Sequence, residues 1–279
     1  MILWLASYPK SGNTFLRSLL TTYFYTRNGS FKFEILKKSL QFPTREAFSN
    51  IGVDINDKYK VSENYIKAQK EINKSKRLVF IKTHSSFCKM YNKFNFSDLK
   101  NSCGVIYIVR DPRNIISSFA HHNSKTIDEI FELIIDDMAI GNEKDEPEVY
   151  MGSWSFNFNS WKIYQKSNKY LLVRYEDLIR DTKKEFIKIL NFINSLGSTQ
   201  FPIFEEKLDM TIDTTNFYKM KKLEETQGFE EAKINEVTGE KIPFFRLGPE
   251  NNWKKNINVE ISKKIENHFK KEMLELNYL

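Results

Sequence analysis

Cysteine is scarce in this 279-residue chain, which carries only Cys88 and Cys103. Without a Cys/His spacing suited to zinc, neither a disulfide framework nor a structural metal is expected, and a reducing, cytoplasmic setting fits. No apolar run approaches the roughly 20 residues that span a bilayer. The opening stretch Met1 to Ala6 is too short for a secretory signal and has no basic region before it. Repeats and low-complexity tracts are missing as well. General disorder is excluded by 41% hydrophobic and 14% aromatic residues. The length suits one large α/β domain, 1–279, in preference to two small ones. A formal charge of +7 would suit nucleic acid, but the lysines are spread along the chain and do not form a clustered basic stripe. A small polyanionic ligand needs only a local cluster.

What the chain does have is an N-terminal strand, loop and helix. The apolar run Ile2 to Tyr8 meets Pro9-Lys10-Ser11-Gly12-Asn13-Thr14, and apolar residues then recur at 15, 16, 19, 20, 23 and 24. Pro9 ends the strand because it cannot donate to a ladder, Gly12 permits close backbone approach, and the recurrence is helical. Free N–H groups at the helix start, Lys10 and the hydroxyls of Ser11 and Thr14 would face one spot, as a phosphate requires. The same residues also describe a capped strand-to-helix turn with a surface lysine. This is not a Walker A loop, since its lysine precedes the only glycine.

Further along, 77–84 ends in Lys82-Thr83-His84, Gly104 to Val109 precedes Arg110-Asp111-Pro112-Arg113-Asn114, and Tyr170 to Val173 leads into Arg174-Tyr175-Glu176-Asp177. Each reads as a buried strand with polar residues at its end. Helical patterns fall at 62–74, 115–119, 126–140, 182–194 and 256–276, and residues 26–76 look like a helical cover. Strands alternating with helices imply a central parallel sheet, with ligands beyond the carboxyl ends of its strands. Dense charge and poor periodicity over 211–245 suggest a mobile lid or long loop. The aromatic segment around 150–164 could wall an acceptor pocket or belong to the core.

These residues together resemble the cytosolic-type sulfotransferases that use 3′-phosphoadenosine 5′-phosphosulfate (PAPS). Tyr8-Pro9-Lys10-Ser11-Gly12 is similar to the family's phosphosulfate loop, and Arg110 through Ser118 to its 3′-phosphate motif. Phe244-Phe245-Arg246-Leu247-Gly248 through Trp253-Lys254 is similar to its C-terminal signature. The resemblance implies an α/β fold with a P-loop-like N-terminus, PAPS as co-substrate without a metal, and a small-molecule acceptor. It also implies Lys10, Ser11, Gly12, Asn13 and Thr14 around the 5′-phosphosulfate. Phe15 would lie on the adenine where the family commonly has tryptophan, or be a plain helix core residue. Arg110, Ser118, Arg246 and Gly248 would hold the 3′-phosphate, and Tyr175, Thr215, Phe217 and Met220 the adenine. His84 would be the general base, with Lys82 and Lys10 beside the reacting group; histidine suits that task because its ordinary pKa is near neutrality.

Departures from the pattern are informative. Leu247 replaces a lysine, removing one charge from the 3′-phosphate region. Asn258 and Lys263 replace two residues of the family's dimer motif, keeping only Lys254 and Val259, so a monomer or weak homodimer is expected. Two other classes compete. A P-loop kinase would need a metal-binding acid, for which Asp111 is the candidate, although a surface turn is its other reading. A polyanion-binding module would act through charge alone.

Overall fold

A computed structural model describes residues 1–197, 200–235 and 238–279. Its centre is β1 (Ile2–Ala6), all five residues of which are buried. Leu40–Gln41 forms β2, Val79–Thr83 β3, Ser102–Val109 β4 and Tyr170–Arg174 β5, and the five strands lie in the order β2-β3-β1-β4-β5. All pair in parallel. The near-continuous apolar runs follow from this, because both faces of such a sheet are covered.

Alternate residues of β1 feed two cores. Ile2, Trp4 and Ala6 join Ile81, Val105 and Tyr107 under Trp154, Trp161 and Phe269. Leu3 and Leu5 join Ile106 and Ile108 under Leu16, Leu19, Phe186 and Leu190. The second face is supplied by α1 (Asn13–Tyr25). The helix following β4, α2 (Pro112–Asn123), lies on the first face with α3 (Ile127–Ile135) and α4 (Trp154–Ser160). Thr182–Leu196, here α5, closes the second.

The expected parallel sheet and its four long strands are present. The helical cover of 26–76 also contributes β2, an edge strand of two residues whose short apolar content gave no periodic signal. Helix 126–140 stops at Ile135, and 256–276 is split into α8 (Val259–His268) and Lys270–Glu275 around the buried Phe269. The stretch expected as a lid or long loop carries the end of α6 (Glu205–Thr214), all of α7 (Phe217–Gln227) and a hairpin pairing Lys233–Ile234 with Lys241–Ile242. Its helices escape a periodicity reading because α7 buries only Met220 and Glu224. Aromatic residues Trp154, Phe158, Trp161 and Tyr164 are fully buried, so their place is the core and not a pocket wall.

Candidate active site

Parallel pairing brings every chemically marked strand end to one edge of the sheet. The register sets Ala6 beside Thr83 and Tyr107, and Val109 beside Arg174. His84, the loop after β1, Arg110 and Tyr175 therefore stand in a row across that edge. A cavity of about 1200 Å³ opens there. It is lined by Lys10, Gly12, Asn13, Thr14, Phe15, Lys82, His84, Arg110, Ser118, Tyr175, Phe217, Met220, Arg246 and Gly248.

The backbone of the loop after β1 is suited to an anion. Lys10 and Gly12 adopt left-handed backbone, at φ 64° and 96°. Gly12 is the residue before α1, and no side chain caps the helix start. Its N–H groups thus face the loop with the positive end of the dipole. Asn13 fastens the loop by donating to the Leu5 carbonyl (2.8 Å) and to Ser7 Oγ (3.1 Å). Ser11 lies buried with its hydroxyl unpaired. It is not one of the lining side chains, nor is Thr215. Thr215 is fully buried and donates to the Thr211 carbonyl at 2.7 Å, so packing occupies it here.

The two arginines of the 110–114 motif have different fates. Arg110 donates to the Lys10 carbonyl (3.0 Å), lies 4.4 Å from the centroid of the Tyr175 ring, and keeps Nε unpaired. Arg113 is turned away, pairing with Asp111 (2.7 Å) and Glu266 (2.6 Å) and lying over Trp253. Asp111 is buried, not a surface turn: its carboxylate caps α2 and is committed to Arg113. That commitment removes it as the acid a kinase would need. Asn114 accepts from the Trp253 N–H and Asn251 Nδ2 donates to its carbonyl, which holds the C-terminal signature beside α2. Arg246 and Leu247 reach the cavity from this segment, and Gly248 meets Phe217 so closely that a Cβ would stand 2.3 Å from its ring.

On the other side of the loop, His84 is oriented by β1. Its Nδ1 lies 2.8 Å from the Ser7 carbonyl and 3.2 Å from Ser7 Oγ. A carbonyl only accepts, so Nδ1 carries the hydrogen and Nε2 is left with a free lone pair. Burial, and then the charge of Lys82, push the imidazole down to about 3. Asn157 of α4 donates to the His84 carbonyl (2.9 Å) and accepts from the Tyr107 hydroxyl (2.8 Å), while Trp161 donates to the Ser85 carbonyl. The buried aromatic segment thus braces the turn that carries His84. Burial and the neighbouring Arg110 lower the Lys10 ammonium to about 7, and burial lowers Lys82.

Ser7, Asn157, His121, His122 and Glu231 carry no recognisable motif. Ser7 is found only once β1 is known to pair with β3. His121 and His122 line the cavity from α2, each with one buried ring nitrogen unpaired. Glu231 lies in a charged stretch where nothing marks one carboxylate from another.

The fold is an α/β one in which the loop after β1 sits at the switch point of a parallel sheet. The sulfotransferase domain family matches this chain over residues 2–277. Human sulfotransferase 1E1 is 27% identical over 280 residues, covering 97% of this chain and 83% of its own length. Mouse sulfotransferase SULT7A1, solved in complex with PAP, superposes with a TM-score of 0.62 at 20% identity, over 98% of this chain and 84% of that one. Retinol dehydratase in complex with androsterone and PAP gives 0.59 at 17% identity, over 98% and 80%. The chain belongs to the sulfotransferase family and is an enzyme of that class. Among the described residues no helix is long and apolar enough to cross a membrane.

Proposed function

We propose that this enzyme transfers a sulfuryl group from PAPS to the hydroxyl, or amine, of a small-molecule acceptor, with His84 as general base. The observation that carries the reading is the tautomer of His84. Ser7 holds the proton on Nδ1 and so leaves Nε2 able to take one from an acceptor. Arg110 Nε, unpaired among the described residues, and the uncapped start of α1 fit the two anionic ends of this nucleotide.

In this reading Lys10, Ser11, Gly12, Asn13 and Thr14 hold the 5′ end, and Arg110, Ser118, Arg246 and Gly248 the 3′-phosphate. Tyr175, Phe15, Phe217 and Met220 enclose the adenine, with the described residues of 211–245 covering it as a lid. PAPS supplies an activated sulfuryl group whose S–O bond breaks as the acceptor oxygen attacks in line. Lys10 and the α1 N–H groups stabilise the charge gathering on the departing 5′-phosphate. His84 takes the acceptor proton and Lys82 faces the sulfuryl oxygens. The acceptor would enter beside β2 and β3, where Gln41, Pro43, Leu133, Ile140, Val149 and Met151 line the cavity.

Calorimetry with 3′-phosphoadenosine 5′-phosphate (PAP) against ADP and Mg-ATP tests this reading. Metal-free PAP binding that is lost in Arg110→Ala is the expected result. A preference for Mg-ATP would overturn it.

A further inference from the structure

The cavity already contains an anion of the protein's own. Glu231 accepts from Thr14 Oγ1 at 2.9 Å and from Arg17 Nη1 at 2.5 Å, and lies 3.9 Å from Lys82 Nζ. The three partners come from the start of α1, from one turn further along it, and from β3. Arg17 is three residues beyond Thr14 on the same helix face, and helical side chains lean toward the N-terminus, which aims its guanidinium at the loop. Its side chain is only 7% exposed, and its Nε has no partner. Glu231 itself lines the cavity, at 26% exposure. Burial alone would push its carboxyl up; Lys82 and Arg17 outweigh that and hold it at about 2.

Two buried cations from different elements, joined by a hydroxyl at the start of α1, make an anion subsite. Left empty, it would set Arg17 and Lys82 against each other in a poorly solvated place, an arrangement that needs a counter-charge. Glu231 supplies one when no ligand is bound. We propose that Thr14, Arg17 and Lys82 form one subsite for the donor's 5′ anion, that Glu231 is its resident occupant, and that donor binding displaces Glu231. Arg17 then becomes a donor-binding residue, and Glu231 sets donor affinity by competition. This rests on the donor reading above.

The test compares PAP with adenosine 3′-phosphate, which lacks the 5′ group, by calorimetry on the wild type and Glu231→Gln. Expected is tightening of PAP by about tenfold, the scale of a close charge contact, with adenosine 3′-phosphate changed by less than about twofold. Equal tightening of both ligands would mean a general gain of positive charge and would overturn the subsite. Weaker or unchanged PAP binding would make Glu231 a permanent counter-ion and overturn the competition. Glu231→Asp keeps the charge but withdraws it by one methylene; it should tighten PAP in the same direction, and it replaces the glutamine variant if that fails to fold. PAP binding to neither wild type nor variant would remove the donor reading itself, whereas binding only to the variant would support both.

Discussion

The ring of Tyr175 packs against Gly12 so closely that a Cβ built on the glycine would stand 2.4 Å from its Cδ2. Gly12 lies in the loop after β1 and Tyr175 follows β5, so the contact closes that loop against the far end of the sheet. Arg110 lies over the same ring and bonds the Lys10 carbonyl, which makes loop, arginine and tyrosine one packed unit.

Gly12→Ala should therefore damage the site beyond its backbone strain. The left-handed conformation costs an alanine about 1–2 kcal/mol, and the added methyl must also push Tyr175 aside. A lowered melting temperature together with PAP affinity reduced by about tenfold or more is the expected outcome. Calorimetry showing wild-type affinity would mean that the loop does not depend on this contact.

Two arginines three positions apart should behave oppositely. Arg110→Ala should weaken PAP by about 10- to 100-fold, as loss of a charged hydrogen bond does, while lowering stability less than Arg113→Ala. Arg113→Ala strands the buried Asp111 carboxylate and should cost about 3–5 kcal/mol of stability, read by urea unfolding. Reversal of the two phenotypes would reassign the phosphate ligand.

The pH profile should carry the mark of Lys10, not of His84. With the imidazole at about 3, its basic form is fully present across pH 5–8, so kcat/KM should show no limb near 6.5. Lys10, held near 7, must be protonated to act, so kcat/KM should fall as pH rises through about 7. Lys10→Arg, whose charge persists to far higher pH, should remove that limb. An acidic limb near 6.5 that vanishes in His84→Ala would show that the histidine is less shielded than its burial implies.

Asn157 acts on His84 only through the backbone. If His84 is the base proposed above, Asn157→Ala should lower kcat by more than it raises KM for the donor, because it loosens the turn carrying His84 while leaving the loop after β1 intact. The orphaned Tyr107 hydroxyl should also cost about 1–3 kcal/mol. Steady-state kinetics with a donor titration separate the two effects, and an effect on donor KM alone would sink the positioning role.

The sequence by itself determined the elements whose signals are local. Pro9 and Gly12 mark the end of a strand and the start of a helix, apolar runs mark strands buried on both faces, and the polar residue after each strand marks the ligand edge. Those signals sufficed for a parallel sheet and for placing the loop, the end of β3 and the start of the 110–118 motif at one edge of it, because each lies within a few residues of its own cue. Tertiary structure decided everything that depends on which strands are neighbours. Ser7 orients His84 only because β1 pairs with β3 in register, and Arg110, in the link between β4 and α2, meets the Lys10 carbonyl and Tyr175 while Arg113, in the first turn of α2, meets Asp111 and Glu266. The same applies to the buried aromatic segment, which braces the turn that carries His84 and does not wall the pocket. Glu231 is the extreme case: more than 200 residues separate it from Thr14 and Arg17, and only the folded chain brings its charge to theirs.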